Sequence, residues 1–216
     1  RLWGTAGWVS AGWLIGLFWL RYAGGDLRMI MLLSAGVSLL LGLYSMTLPG
    51  SGGTPRRSEL VPRAALRILI KPQMLLVVSA AFLVMFVDKY YYFGTAPYLK
   101  SLGVSDNAVM PMMSAGQITE IVSLALLGMA LHRFGYLRTL LLGALMETAR
   151  FAFFTFGQGP VSAVAGICFH GPAFAFFFSA AFVYVNSFSG PESRAGVQQL
   201  FSVIYAGLGG IAGNMV

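Results

Sequence analysis

The chain has 216 residues, of which 57% are hydrophobic and 10% charged, and its formal net charge is +7. A soluble globular domain carries about 25% charged residues, so this composition excludes a soluble protein and indicates a membrane protein. Lys and Arg cluster in short loops between apolar segments, which argues against a nucleic-acid-binding surface. The chain lacks an initiator Met and ends within an apolar run, so we interpret it as a piece of a longer protein.

Seven segments are apolar and long enough to cross a bilayer, which takes about 20 mostly apolar residues. They are predicted over 2–20, 29–48, 73–98, 110–130, 138–156, 161–186 and 196–216. Only one connection, 49–72, is long. It is rich in Pro, Gly and Arg and is therefore predicted as a linker, in which "LVPRAALRILI" forms a short amphipathic helix on the membrane surface.

The Lys and Arg residues of the loops predict the orientation of the chain. Loops that lie on one side, 49–72, 131–138 and 187–195, hold eight of them. Loops on the other side, 21–28, 99–109 and 157–160, hold three. We expect the first group to face the cytoplasm.

The segment 110–130 carries a polar stripe that lipid would not tolerate. Ser114, Gln117, Glu120 and Ser123 recur every three residues, so they share one side of the helix. An ionisable residue in a membrane helix costs about 2.5–3.5 kcal/mol on insertion scales. The stripe is therefore expected to line a cavity or to pack against a polar partner, and packing alone does not easily explain Glu120.

Other ionisable residues lie inside the apolar segments. Glu147 and Arg150 are three apart, which predicts a structural ion pair. Asp88 is followed by Lys89 and three tyrosines, and either Tyr91 or Tyr92 is expected to point inward with it. An interfacial belt is an equally good interpretation of the tyrosines alone.

The stretch "CFHGPAFAFFF" places His170 and Phe174 on one helix face. Gly171 and Pro172 loosen the helix between them. A lone His in an apolar run is more often a satisfied core residue, but a substrate contact is a fair competitor here. No hydrolase motif or metal-spaced His pair occurs, and Cys168 is the single cysteine, so neither an enzyme, a metal site nor a cofactor is predicted.

Several stretches, taken in order, resemble one known family. They are "RLWGTAGW" (1–8), "SAGVSLLLGLYSMTLP" (34–49), the segment 114–157, "HGPAFAFFFSAAFVYV" (170–185) and "RAGVQQLF" (194–201). Together they resemble the nucleoside:proton symporters of the major facilitator superfamily, from about the fifth helix to the eleventh. The resemblance implies an all-α membrane bundle of two six-helix halves, present here incompletely with about seven transmembrane helices.

The resemblance also implies a division of the chain and a function. Residues 1–48 would be the last two helices of the N-terminal half, 49–72 the central cytoplasmic linker, and 73–216 the C-terminal half, truncated in its fifth helix. The function implied is transport of a nucleoside or similar small polar solute by alternating access, coupled to protons. The expected location is a bacterial inner membrane, with the lipid bilayer, the solute and protons as partners.

Substrate contacts are carried over residue by residue. The resemblance assigns this role to Arg1, Thr5, Trp8, Asp88, Tyr91, Gln117, Glu120, His170 and Phe174. His170 stands where the family has a tyrosine, and the family carries amides around Asp88 and Tyr91. The family also carries an aspartate, linked to coupling, at the position of Ala175. We therefore expect Glu120 or Asp88 to couple protons, or the protein not to be a proton symporter of that kind.

Several alternatives remain open at this point. A carrier for a sugar or another metabolite shares the fold, and so does a facilitator without proton coupling. A polytopic membrane enzyme using His132 or His170 would need a reactive partner, and the sequence offers none. A receptor or assembly subunit is the remaining class.

Overall fold

Helices form nearly all of the described part of the chain. The computed structural model describes residues 2–19, 27–49, 63–191 and 193–215. The helices, in chain order, are α1 (Leu2–Trp13, continued by π-helical Leu14–Trp19), α2 (Leu27–Ser45), α3 (Arg63–Leu69), α4 (Pro72–Ser101), α5 (Asp106–Phe156), α6 (Gly159–Ser187) and α7 (Arg194–Asn214). Within these ranges no residue is in a strand.

Each of the seven predicted apolar segments coincides with a helix, although the second helix already ends at Ser45, before the predicted end at 48. Two of them lie in α5, whose 51 residues bend at Gly135 (φ 72°, ψ 176°). That backbone conformation strongly favours glycine, and it divides α5 into a first arm, 106–134, and a second arm, 136–156. By length and composition, α2, α4, α5, α6 and α7 are long and apolar enough to cross a membrane.

The main apolar core lies between α3, α4, α6, α7 and the second arm of α5. Its buried members include Leu69, Val78, Phe178, Val185 and Phe201. Because lipid is as apolar as these side chains, close packing rather than water exclusion holds such helices together. The chain provides that closeness at Gly143, where an added Cβ would overlap the backbone of Phe176 and Phe177.

Helix α3 falls inside the predicted amphipathic stretch. Ala65 and Leu69 are buried, whereas Leu66 and Ile70 are exposed. The buried side packs on the start of α7. Its position relative to a membrane stays a prediction, and most of the predicted linker, 50–62, lies outside the described residues.

Helix α1 packs along the first arm of α5 through one face. Thr5, Gly12 and Gly16 of this face are buried. A Cβ added to Gly16 would lie 2.9 Å from the carbonyl oxygen of Asn107 and 3.0 Å from Pro111 Cδ. Trp13 Nε1 donates to Ser114 Oγ at 2.8 Å. By contrast, the span Arg28–Ser45 buries no side chain against the described residues.

Candidate functional site

Arg150 is fully buried and connects α4, α5 and α6 through its guanidinium. The guanidinium of Arg150, on the second arm of α5, contacts the carboxylate of Glu147 one turn earlier. Its Nη2 also donates to Asp88 Oδ1 of α4 at 2.7 Å, and its Nη1 lies 2.9 Å from His170 Nδ1 of α6. The guanidinium carbon lies 4.2 Å from the centroid of the Tyr91 ring, a distance at which the cation and the ring attract.

The predicted pair of Glu147 and Arg150 is thus part of a larger network. The spacing of three residues predicts the contact of Glu147 with Arg150, but it does not predict that of Asp88, which is 62 positions from Arg150. The network is not fully paired. Glu147 Oε2 and Arg150 Nε are buried and have no hydrogen-bond partner among the described residues.

Two tyrosines of α4 enclose the His170 ring. Tyr91 stacks on it with 4.8 Å between centroids and 13° between planes. Tyr92 meets it edge-on, with Tyr92 Oη 3.2 Å from His170 Nε2. Tyr91 is only 1% exposed, so it is not part of an interfacial belt, whereas Tyr92 is 43% exposed. Phe174 lies one turn further along α6, 6.1 Å from the His170 ring.

The polar stripe of the first arm is buried along its whole length. Ser114, Gln117, Glu120 and Ser123 are 1–7% exposed. Glu120 Oε1 accepts from Thr5 Oγ1 at 3.4 Å, and Glu120 Oε2 lies 3.9 Å from His170 Nε2. The stripe therefore packs against α1 and α6. An apolar cleft of about 510 Å³ lies elsewhere, between α4, the second arm of α5 and α6, and none of its lining residues belongs to the stripe.

Small residues bring α6 against the first arm and so place His170 beside Glu120. A Cβ at Gly171 would overlap the backbone of Thr119 and Glu120. A Cβ at Gly116 would lie 2.9 Å from the Ile167 carbonyl oxygen and 3.2 Å from Tyr91 Oη. Thr119 Oγ1 donates to the Cys168 carbonyl oxygen at 2.8 Å. These positioning residues were not identified from the sequence. The available signal was that Gly116 and Thr119, which are small, directly precede Gln117 and Glu120 of the stripe.

The remaining predicted site residues take varied positions. Trp8 is half-buried and packs against the cluster that contains Tyr91 and Ile167. Ala175, where the resembling family has an acid, is fully buried. Arg1 lies outside the described residues. Gln117 is 7% exposed.

Comparison with known proteins decides the family. A family model described as "Nucleoside H+ symporter" matches residues 1–216. The chain belongs to the nucleoside H+ symporter family. The resemblance found in the sequence is thereby confirmed, and the chain is classed with carriers rather than with enzymes.

Several relatives of the chain are proteins of Escherichia coli. It is 28% identical to the putative nucleoside transporter YegT of Escherichia coli over 99% of its length and 52% of the relative's. It is 26% identical to the nucleoside permease NupG of E. coli over all of its own length and 55% of that protein's. A xanthosine permease of E. coli is 25% identical over the whole chain. The chain spans about half the length of the curated relatives it matches.

A solved structure confirms the fold of the chain. A crystal structure of the nucleoside transporter NupG superposes on the whole chain with a TM-score of 0.77 at 24% identity, and the match covers 57% of that protein. The predicted class, an incomplete major facilitator helical bundle, is confirmed. Because its helices are long and apolar enough to cross a bilayer, the chain is part of an integral multi-pass membrane protein.

Proposed function

We propose that the complete protein carries nucleosides across a bacterial inner membrane by alternating access, with protons as the coupling ion. The observation that carries the proposal is the buried Gln117–Glu120 face beside the stacked rings of Tyr91 and His170. An amide and a carboxylate suit ribose hydroxyls and base edges, while aromatic rings stack on a base. The names of the relatives, which are nucleoside and xanthosine carriers, support the same substrate class.

The proposed organisation places this site between two halves. Residues 1–48 are the end of the N-terminal half, 49–72 the cytoplasmic linker and 73–216 the C-terminal half. The contact of α1 with the first arm of α5 then joins the halves, and the Thr5–Glu120 hydrogen bond lies in it. Transporters of this fold bind substrate near the midplane between halves, which supports Thr5, Trp8, Gln117, Glu120 and Phe174 as substrate contacts, with Arg1 as a further one.

Uridine binding tests the substrate. A hydrogen bond contributes about 0.5–1.5 kcal/mol net, so Gln117→Ala should weaken uridine binding roughly two- to tenfold in calorimetry. The exposed Gln199 is the matched control, and Gln199→Ala should leave binding unchanged. Competition with sugars separates the two carrier classes. Displacement of uridine by a sugar, or no uridine binding at all, would contradict the proposal.

Glu120 tests proton coupling. Glu120→Gln keeps the hydrogen-bonding capacity but cannot carry a proton, so uridine binding should persist while pH-driven accumulation in proteoliposomes is lost. Glu120→Ala should lose both. Full accumulation by Glu120→Gln would remove its coupling role.

A facilitator without proton coupling is the second candidate. It is favoured by Ala175, because the family has an aspartate linked to proton coupling at this position. Such a protein would equilibrate uridine without responding to an imposed pH gradient, whereas the proposed symporter should accumulate it.

A further inference from the structure

His170 lies inside a group of charges that does not balance. Among the described residues, two carboxylates, those of Asp88 and Glu147, share one guanidinium, that of Arg150, and Glu120 faces the other side of the imidazole. The titratable and charged groups that pack around the imidazole come from three helical segments and are Asp88, Tyr91, Tyr92, Glu120, Glu147 and Arg150. A buried carboxylate without its own cation is costly in free energy. Binding a proton would remove that cost, so this group of residues is a candidate proton-binding site.

The hydrogen bonds fix the state of the imidazole in this structure. A guanidinium has donors only, so Arg150 Nη1, 2.9 Å from Nδ1, must donate and Nδ1 must accept. The ring is therefore neutral, with its hydrogen on Nε2, where Tyr92 Oη is the partner at 3.2 Å.

We propose that His170 is the exchangeable proton carrier between Asp88 and Glu120, and that a proton on its Nδ1 and the hydrogen bond from Arg150 exclude each other. Nδ1 has one lone pair, which takes either partner but not both. Proton binding therefore releases Arg150 Nη1 from the imidazole. Carboxylate oxygen is available to the released guanidinium, because Glu147 Oε2 has no hydrogen-bond partner among the described residues.

Each nitrogen of the ring faces one carboxylate, and each pair must close to hydrogen-bond distance before a proton moves. Asp88 Oδ1 lies 3.9 Å from Nδ1, and Glu120 Oε2 lies 3.9 Å from Nε2. A protonated Asp88 breaks its O–H bond and an N–H bond forms at Nδ1, which gives the imidazolium. The Nε2–H bond then breaks and an O–H bond forms on Glu120, which leaves the neutral ring with its hydrogen on Nδ1. One proton has moved from Asp88 to Glu120, and the reverse steps return it.

This role rests on the proposed transport function but is measurable without a substrate. In ¹⁵N NMR spectra of the histidine-labelled full-length protein in nanodiscs, the His170 signals are assigned by their loss in His170→Gln or His170→Asn. They should show the Nε2–H tautomer at alkaline pH and a ring protonated on both nitrogens in the mildly acidic range, about pH 5–6. A neutral ring throughout that range would overturn the proposal, whether or not the protein moves nucleosides.

Transport by variants supplies the second measurement. The amide of His170→Gln can accept from Arg150 and donate to Tyr92, but it cannot carry the proton. Because the stacked rings of Tyr91 and His170 are also proposed to contact the base, uridine exchange between equal pools should slow but remain measurable. The accumulation ratio under a pH gradient should fall to that of an uncoupled carrier. The control is His132→Gln, the same change at the exposed His132, and it should accumulate uridine normally.

The two proposals fail in different ways. Accumulation by His170→Gln at the wild-type ratio would overturn the proton role and leave the nucleoside carrier intact. Wild-type protein without uridine exchange would overturn the nucleoside function, and the NMR titration would still decide the proton role.

Discussion

At the scale of single residues, Arg150 is the position on which the buried charges depend. It is 0% exposed and neutralises carboxylates from two helices. Removing one partner of a buried ion pair costs about 3–5 kcal/mol, because it leaves a charge unpaired. The effect of a substitution here should therefore depend on how many charges it leaves behind.

That dependence gives a graded prediction. Glu147→Gln leaves Arg150 with Asp88, so its loss of stability should be small. Arg150→Met leaves two carboxylates unpaired and should be severe, and adding Glu147→Gln should restore only part of the loss because Asp88 remains. Thermal unfolding of purified protein measures all three, and Arg138→Met, at an exposed arginine, is the control.

The pattern of stability and transport separates structure from function at this site. If Arg150→Met were as stable as the wild type but inactive, the network would serve transport alone. If Glu147→Gln were as damaging as Arg150→Met, Asp88 would not share in the neutralisation.

At the scale of helices, three of them contain a six-residue π-helical stretch: Leu14–Trp19 in α1, Phe174–Ser179 in α6 and Val203–Leu208 in α7. Such stretches are rare and occur often at functional sites. The one in α6 begins four residues after His170. A change of helical register at that point is invisible to a periodicity argument, which assumes 3.6 residues per turn throughout.

The contact between α1 and α5 yields a prediction about Gly16. Gly16→Leu should force the two helices apart near Asn107 and Pro111, because the space for a side chain is absent there. Thr5 lies on the same face of α1, so uridine affinity should fall together with the melting temperature. Gly16→Ala should have a weaker effect of the same kind.

A matched control for this contact is available on α5 itself. Gly128 has no atom within 4 Å of an added Cβ among the described residues, so Gly128→Leu should be tolerated. Equal melting temperatures and affinities for Gly16→Leu and Gly128→Leu would show that the close approach is dispensable.

At the scale of the whole molecule, the sequence predicted the helices better than their partners. Apolar length located all seven segments, and the i, i+3 spacing of the stripe predicted its buried face correctly. Periodicity identifies a face but not what covers it. The contacts of Arg150 with Asp88 and His170 join residues 62 and 20 positions apart, and only the packing of three helices determines them. The choice between Tyr91 and Tyr92 could not be made for the same reason, and both contact His170.

The orientation of the whole molecule is a prediction that loop charges alone support. The loop 131–138 carries Arg133 and Arg138, whereas the loop 99–109 carries Lys100 alone. Because Lys and Arg are enriched in cytoplasmic loops, the first loop should face inward and the second outward. Single cysteines report this in a Cys168→Ser background. In intact cells, a membrane-impermeant thiol reagent should label Ser105→Cys, an exposed position, and should spare His132→Cys until the membrane is permeabilised. Labelling of His132→Cys alone in intact cells would show that the orientation is the opposite of the predicted one. The direction of proton transfer between Asp88 and Glu120, relative to the cytoplasm, would then be reversed as well.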